Sequence, residues 1–441
     1  MTPTQPHPGA AHGTVLIVVM VVVFALAALV VTLGRHVRAE AYASANAVSI
    51  RSADAAARGA EQFVLALLTD YRDDVFTIDE RDFAAVPVGD GFFWIVRPPS
   101  DDPREPLFGL VDENSKLDLN QASFESLRAL PGMTDELAAS IVDWRDGDDT
   151  PTESGAESTV YLGQSPAYAA KNGRFETVEE LLLVHGMTAD LLYGLPQRGA
   201  RAASVDRYVT DGLFDQFTVW TRQSNTSPAG RRKVNITDDN RDGLRALLRD
   251  RLGNDRAEEV LEAVGRGRLV DVFDLANRGK LTSDEVAAIE GYVSSSGGRN
   301  VRGRVNVNAA SRDVLRCLDG IDPGDADTLY DRRPEPQDGD AASVAWVWDA
   351  LGERAVGLGN QITGRGQTFS ADIVAVSGDG RAFRRVRMVV DASRTTPRVV
   401  YRRDITGRGW PLDPEVRAAL RRGERDAVAA LNSGGLSGFS R

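Results

Sequence analysis

The longest hydrophobic stretch of the chain lies near its N-terminus. Residues 15–33 carry no charged side chain, and nearly all of them are aliphatic. A helix of this length spans about 28 Å, which is close to the hydrocarbon thickness of a bilayer. Helix-forming alanines continue the pattern without a proline as far as Asp70. We therefore predict one helix over residues 14–70, with a transmembrane part (14–34) and an amphipathic stalk (35–70).

A cleaved secretory signal is the alternative interpretation of this segment. Such signals have a shorter apolar stretch of roughly 7–15 residues that follows basic residues, whereas residues 1–13 contain no Lys or Arg. A retained membrane helix is therefore favoured. Because Arg35 and Arg38 follow the span, a simple positive-inside count would leave the C-terminal side in the cytoplasm. Long domains are translocated despite such flanking charge, so the orientation stays open at this point.

Strand-like runs occur on both sides of a long region with a helical pattern. Residues 92–96 and 107–111 have the pattern of a hairpin, with a Pro- and Asp-rich turn between them. A second hairpin is predicted over residues 369–376 and 383–390, around the turn Ser377-Gly378-Asp379-Gly380. Residues 399–405 are a candidate for one more strand.

The simplest architecture with this order of elements is an α+β fold. An antiparallel sheet packs on the long N-terminal helix, and a large α-helical domain is inserted between its strands. The predicted domains are, in chain order, a leader (1–13), the two parts of the long helix (14–34 and 35–70), the first part of an α/β domain (71–112), the inserted α-helical domain (113–365), the C-terminal strands of the α/β domain (366–410) and a tail (411–441).

The helical region contains an internal repeat. LNQASFESLRALPGM at residues 119–133 and VNAASRDVLRCLDGI at residues 307–321 share seven of fifteen positions, and FETVEELLLVHGM at residues 175–187 is a weaker copy. Each copy has a Ser or Thr before its helix and a glycine after it, which predicts a capped helix and a tight turn into a second helix. These units are similar to the helix-hairpin-helix motif of DNA-binding proteins.

The distribution of charge argues against DNA binding by these units. The chain has 52 basic and 64 acidic residues, a formal net charge of -12, and residues 112–190 carry 16 acidic and 5 basic side chains. Acidic residues such as Asp135 and Asp190 occupy hairpin positions where a phosphate-binding motif would place Lys or Arg. We therefore expect no nucleic-acid partner and a structural role for the hairpins. A membrane-anchored helix-hairpin-helix protein that binds DNA for uptake is the alternative function.

Carboxylates crowd into one loop after the first repeat. The segment from Asp143 to Asp149 reads DWRDGDD, and Glu153 and Glu157 follow with glycines that let the loop bend. Calcium requires six to eight oxygen ligands, which such a loop offers. A solvated acidic loop is the alternative, because only the D-x-D start of an EF-hand is present.

Enzyme chemistry is poorly represented in the sequence. Cys317 is the only cysteine, so no internal disulfide or cysteine-based zinc cluster is available. The sequence has no G-x-S-x-G elbow, phosphate-binding loop or H-E-x-x-H motif. We therefore predict that the protein is not an enzyme.

Four stretches together resemble the type II secretion system protein K family, the K-type minor pseudopilins of the general secretion pathway. They are the leader that ends in Gly13, VDENSKLDLN at residues 111–120, IVDWRDGDDTPTESGAE at residues 141–157 and NGRFETVEELLLVHGM at residues 172–187. The resemblance implies a pilin-like α+β domain interrupted by a large α-helical domain. It also implies that prepilin peptidase cuts after Gly13, so that Thr14 becomes the N-terminus.

The same resemblance implies a location, partners and a metal. It places the chain in the inner membrane with a single span and its bulk in the periplasm, where it forms a pseudopilus tip with the minor pseudopilins I and J and initiates assembly for protein export across the outer membrane. Val18 stands where most pilin-like subunits carry a glutamate, as is typical of the K subunit. Members of the family bind calcium, and the D-W-x-D-x-D…G-A-E pattern assigns the ligands to Asp146, Asp148 and Glu157.

Overall fold

The computed structural model describes residues 11–71, 75–98, 107–194, 212–238, 241–335 and 342–429. Most of the predicted leader and the Ser/Gly-rich end of the chain from Asn432 lie outside these ranges. The helices are α1 (Ala11–Asp70), α2 (Phe124–Arg128), α3 (Asp135–Arg145), α4 (Ser158–Leu162), α5 (Ala189–Tyr193), α6 (Asp242–Leu252), α7 (Asn254–Val264), α8 (Val272–Gly279), α9 (Ser283–Glu290), α10 (Arg312–Leu315), α11 (Pro323–Arg332), α12 (Ala345–Leu351), α13 (Pro414–Arg422) and α14 (Arg425–Ala429).

The strands fall into one main sheet and several two-residue ladders. They are β1 (Val86–Val88), β2 (Gly91–Val96), β3 (Val111–Asp112), β4 (Leu117–Asp118), β5 (Phe217–Thr218), β6 (Gln223–Ser224), β7 (Val234–Asn235), β8 (Val293–Ser294), β9 (Asn300–Val301), β10 (Val305–Asn306), β11 (Ile362–Thr363), β12 (Thr368–Val376), β13 (Phe383–Asp391) and β14 (Arg398–Asp404).

Helix α1 changes its surroundings along its length. It ends at Asp70 as predicted but begins at Ala11, so Gly13 and Thr14 lie in its first turn. The side chains of residues 15–33 are exposed, and within the described ranges α1 is the helix long and apolar enough to cross a membrane. Further along, the buried residues recur every three or four positions and so share one face; they include Ala53, Ala56, Ala60, Val64 and Leu68.

The buried face of α1 packs on an antiparallel sheet with the order β1-β2-β12-β13-β14, and β3 also pairs with β12. The C-terminal hairpin has the predicted strands, and its turn closes with a hydrogen bond from the Gly380 amide to the Ser377 carbonyl oxygen. Gly380 has a φ of +65°, which favours glycine. The predicted extra strand is present as β14.

The first predicted hairpin is only partly correct. Strand β2 pairs with β1 and β12, whereas residues 107–111 contact β2 through one antiparallel bridge, from Phe108 to Val96, and Val111 pairs with β12 instead. Strand β1 escaped the sequence pattern because Pro87 cannot donate to a ladder, and proline therefore fits only an edge position such as this one. All six residues of β2 are buried, since Phe93 faces Phe63 of α1 and Trp94 faces Trp410 on the other side.

The orientation of α1 relative to the sheet places the helical insert far from the apolar segment. Ser49 of α1 contacts Asp379 in the β12–β13 turn, whereas Glu61, further along α1, pairs with Arg402 of β14. Strand β12, which runs from Thr368 to this turn, is therefore antiparallel to α1, and Thr368 lies on the side towards which α1 runs as it approaches Asp70. The chain leaves the sheet after Asp112 and returns at Thr368, and these two residues lie at the end of the sheet remote from residues 15–33.

The insert is built from the predicted helix-turn units around two hydrophobic cores. Ser123 and Ser311 cap α2 and α10, and the glycines after the three repeats, Gly132, Gly186 and Gly320, all have positive φ. Short parallel ladders join the start of each full copy of the repeat to a distant segment, as β4–β5 and β10–β11, and a similar ladder, β7–β8, lies between them in the chain. After the sheet, the first part of the predicted tail forms α13 and α14.

Candidate metal centre in the helical insert

The first repeat positions the acidic loop. Ser123 caps α2 by accepting a hydrogen bond from the Ser126 amide at 2.9 Å, and Gly132 turns the chain into α3 with a φ of +78°. At the end of α3 the Arg145 guanidinium donates to the carbonyl oxygens of Leu119 and Ala122. These contacts fix the last turn of α3, from which the loop of residues 146–157 departs.

Three carboxylates from this last turn and the loop converge. Asp143 and Glu157 are buried and Asp146 is half-buried, and one oxygen of each lies within 4.8 Å of the others. The loop folds back on α3 because the Thr152 amide donates to Asp143, with 3.2 Å to either oxygen. Ser154 adopts a φ of +67° in this bend, next to Gly155.

Several oxygens in and beside this cluster have no hydrogen-bond donor. Both carboxylate oxygens of Glu157, Oδ1 of Asp146 and Oδ1 of Asn172 are buried without a hydrogen-bond partner. Asn172 belongs to the same loop structure, because its side-chain amide donates to the carbonyl oxygen of Asp148. Unpartnered buried oxygens are costly, and a divalent cation would supply the missing positive charge.

The electrostatics point the same way. Burial, with the charges of Asp143 and Asp146 adding to it, raises the pKa of Glu157 to about 7. Burial also raises the pKa of Asp146. These shifts indicate that the three carboxylates repel one another when no cation separates them. The donor set of hard oxygens therefore fits calcium, and the residues that fit it best are Asp143, Asp146 and Glu157.

This set of converging carboxylates differs at one position from the ligands expected from the sequence. Asp146 and Glu157 come together as expected, but the Asp148 side chain is exposed and accepts a hydrogen bond from the Thr150 amide at 2.9 Å, outside the cluster. Its place is taken by Asp143, one helical turn before Asp146. The sequence did contain a signal for Asp143. A carboxylate is unfavourable in the last turn of a helix, and if it is buried it needs a positively charged or hydrogen-bonding partner.

An aromatic cluster covers one side of the centre. Trp144 packs edge-on against Tyr161 with 5.2 Å between the ring centroids, and Tyr168 stacks at a tilt on Tyr161 at 5.4 Å. The Tyr161 hydroxyl accepts a hydrogen bond from the His185 amide at 3.1 Å, which ties the first hairpin to the second. Burial raises the pKa of Tyr161 to about 12. Trp144 is thus an intrinsic fluorescent reporter beside the carboxylates.

The hairpins present acidic side chains to solvent. Asp135 and Glu136 at the start of α3 have side-chain exposures of 69% and 61%. In the second full copy of the repeat, Asp319 accepts hydrogen bonds from the hydroxyls of Ser123 and Ser126 and so joins two repeats to each other. The hairpins therefore hold the insert together, and their exposed charge opposes the approach of a phosphate backbone.

Comparison with known proteins identifies the region around this centre. Residues 107–196 match the family described as type II secretion system (T2SS), protein K. The type II secretion system protein K of Pseudomonas aeruginosa is 32% identical over 204 residues, which cover 43% of this chain and 60% of that protein. The protein of the same name from Klebsiella pneumoniae is 42% identical over 73 residues, which cover 17% of this chain and 21% of that protein. Each match thus spans less than two thirds of the relative.

A solved structure aligns over a larger part of the chain. It belongs to the crystal structure of the GspK-GspI-GspJ complex from the enterotoxigenic Escherichia coli type 2 secretion system. The alignment covers 84% of this chain and 99% of that chain, with a TM-score of 0.43 and 13% identity.

Proposed function

We propose that this chain, whose residues 107–196 match the type II secretion system protein K family, is a member of that family and acts as the minor pseudopilin at the tip of the pseudopilus. In this role it initiates pseudopilus assembly for the export of proteins across the outer membrane. The observation that carries the proposal is the position of the helical insert, which joins the sheet at the end remote from the apolar part of α1.

The exposed apolar part of α1 accounts for membrane anchoring and for assembly. Residues 15–33 are exposed and are not buried by any other residue that the structure describes, so lipid or the helices of other subunits would cover them. In the proposed cycle prepilin peptidase cuts after Gly13, and α1 holds the subunit in the inner membrane with its bulk in the periplasm. The helix then moves from lipid into a bundle with the corresponding helices of the minor pseudopilins I and J.

The position of the insert explains why the subunit would be terminal. An α-helical domain of about 250 residues on top of the sheet occupies the space that the next subunit of a filament would need. Val18 supports the same role, because a carboxylate at this position would have no subunit above it to neutralise. The subunit therefore packs against other subunits through the sides of α1, whereas its insert prevents a further subunit from adding at the end of the filament.

Calcium has a structural part in this proposal. Asp143, Asp146 and Glu157 would hold the ion, which links the end of α3 to the start of α4 and replaces carboxylate repulsion by attraction. The chain's own residues shape the loop through the Thr152 amide and Asn172.

Deletion of the chain from a complete type II secretion system tests the proposed function. We expect few or no pseudopili and no secretion, with both restored by the wild-type gene, and N-terminal sequencing of the restored protein should begin at Thr14. Unchanged pseudopilus initiation and secretion after deletion would refute the proposal. A mature protein that still begins with Met1 would refute the processing step.

A further inference from the structure

Two cationic side chains of the insert are packed into the protein without partners. Lys233 directly precedes β7 and Arg304 directly precedes β10, and both are half-buried. Among the residues that the structure describes, neither side chain makes a hydrogen bond or an ion pair. Nε of Arg304 is buried, so water does not satisfy it either. Cations that are withdrawn from water without a counter-charge are costly, so these two residues, called the cation pair below, call for a partner.

Backbone hydrogen bonds tie both members of the cation pair to the short strand β6 and its flanks. The Lys233 amide donates to the carbonyl oxygen of Asn225 at 3.2 Å. On the other flank, the amide of Gly303, the residue before Arg304, donates to the hydroxyl of Thr221 at 2.8 Å. The two cations lie close enough together that the charge of Arg304 lowers the pKa of Lys233. The fold therefore holds two like charges near each other.

The carboxylates nearest to the cation pair are engaged by other donors. Glu290, whose charge acts on Lys233, accepts a hydrogen bond from the Val344 amide at 2.9 Å. Asp271, whose charge acts on Arg304, accepts hydrogen bonds from three backbone amides. Burial outweighs both carboxylates, because it lowers the pKa of Lys233 to about 8 and also lowers the pKa of Arg304. The cation pair thus keeps an unmet demand for negative charge.

The segments that carry the cation pair add positive charge and no negative charge. Residues 219–237 contain four basic side chains and residues 291–311 contain three, and neither segment contains an acidic one. The two segments pair with each other through β6 and β9. Arg222 is the basic residue here with a carboxylate partner, since it lies 3.3 Å from Asp391. In a chain with a net charge of -12, this local excess of positive charge favours an anion at this place.

We propose that Lys233 and Arg304 form a binding site for one oxyanion, which is a carboxylate or a phosphate group. The planar guanidinium matches two oxygens of such a group, and the ammonium adds a compact charge with three donors. A bound oxyanion satisfies Nε of Arg304 and separates the two like charges. The site contains no residue of α1 or of the carboxylate cluster, so its failure would leave the proposed function intact.

Titration calorimetry and thermal unfolding of the full chain in detergent test this inference. Inorganic phosphate and acetate are added separately in calcium-free buffer at constant ionic strength, with chloride as the reference anion. We expect at least one of the two oxyanions to give saturable binding and to raise the unfolding temperature relative to chloride, because a ligand that binds the folded chain stabilises it. Tighter binding of phosphate would indicate a phosphate ligand, and tighter binding of acetate would indicate a carboxylate ligand.

Three variants separate this site from a general effect of charge. Lys233→Met and Arg304→Met should each weaken oxyanion binding by about tenfold or more, because each removes a charge-assisted hydrogen bond. Arg231→Met removes the same charge from an exposed position two residues before Lys233, and it should bind as the wild type does. In chloride alone, Lys233→Met should be at least as stable as the wild type, because a cation without a partner is gone.

The inference is overturned if neither oxyanion binds or stabilises the wild type more than chloride does. It is also overturned if Lys233→Met and Arg304→Met bind as tightly as the wild type, or if Arg231→Met weakens binding as much as they do, since either result would mark an adventitious ion only. A loss of stability of Lys233→Met in chloride would show that Lys233 already has a stabilising partner within the chain, which would overturn it as well.

Discussion

Ser49 of α1 donates a hydrogen bond to Asp379 in the β12–β13 turn, with 2.6 Å between Oγ and Oδ2. Ser49 is the first buried residue along α1, so this contact marks the point on the helix at which its packing against the sheet begins. Although burial raises the pKa of Asp379, hydrogen bonds from Ser377 and Ser49 together hold it below its ordinary value. This pair therefore defines which end of the sheet faces the apolar part of α1 and which end carries the insert.

Replacing Ser49 by alanine should weaken the attachment of α1 to the sheet. A hydrogen bond to a charged acceptor contributes about 1.5–3 kcal/mol, and its loss leaves Asp379 with fewer donors. We expect Ser49→Ala to lower the free energy of unfolding of the folded part beyond the apolar segment by about that amount in denaturant titrations. Ser44→Ala, five residues earlier on an exposed part of α1, is the control and should change it by less than about 0.5 kcal/mol. Equal effects of the two substitutions would contradict this assignment.

The junction between sheet and insert should be intolerant of a side chain at Gly366. A Cβ atom there would lie 1.8 Å from Oδ1 of Asp112, which is buried and accepts hydrogen bonds from Asn306 and Asn114. Because neither backbone nor carboxylate can move away without breaking these bonds, we expect Gly366→Ala to destabilise the chain by about 3 kcal/mol or more. Gly407→Ala is the matched control, since its Cβ would meet nothing within 4 Å. Thermal unfolding of both variants decides the point, and a Gly366→Ala protein as stable as the control would refute it.

The same aspartate makes stability depend on pH. Burial raises the pKa of Asp112 to about 6, while the hydrogen bonds from Asn306 and Asn114 oppose the shift. In the unfolded chain the value is near 3.9, so between these pH values the folded chain binds a proton that the unfolded chain releases. The stabilising contribution is therefore complete below about pH 4 and is lost as the pH rises through 6.

A comparison with Asp112→Asn isolates this contribution from other carboxylates. We compare the free energy of unfolding of the wild type with that of the variant. This difference should favour the wild type by about 2 kcal/mol more at pH 4.5 than at pH 7. Urea titrations at the two pH values measure it. A difference that does not change with pH would show that Asp112 titrates normally in the folded chain.

Much of the fold could be predicted because its signals are local. The long helix follows from an uninterrupted apolar and alanine-rich run, and the C-terminal hairpin follows from two apolar runs around Ser377-Gly378-Asp379-Gly380. The parallel ladders could not be predicted for two reasons. Each joins residues that are distant in sequence, such as Val305 and Ile362, and each strand has only two residues, which is too few to show an alternating hydrophobic pattern. Strand β1 was missed because its local signal is misleading. Pro87 argues against a strand, and it is tolerated here only because β1 lies at the edge of the sheet.

The sequence predicted where the carboxylates cluster, but not all of the residues that form the cluster. The density of carboxylates in residues 146–157 located it, whereas the choice among them depends on the path of the loop. Asp148 lies between two candidates in sequence but faces solvent, because the chain turns there to let Thr152 reach Asp143. Residue spacing alone does not encode that turn.

Calcium binding should distinguish the two assignments of the site. We expect titration calorimetry to give binding for the wild type and for Asp148→Asn, and a loss of affinity of at least tenfold for Asp143→Asn and for Glu157→Gln. The fluorescence of Trp144, which packs beside the cluster, gives an independent signal on calcium addition. Loss of binding in Asp148→Asn with retention in Asp143→Asn would restore the ligand set expected from the sequence pattern, and no binding by the wild type would remove the metal from the account.

The position of the chain in the filament tests the central claim most directly. A tagged but functional protein can be labelled with gold on sheared pseudopili and viewed by electron microscopy. The images give the number of labels on each filament and their positions along it. The account predicts one label per filament, at a single end, because the insert blocks addition above it. Labels spaced along the filament shaft, or filaments that carry none, would contradict it.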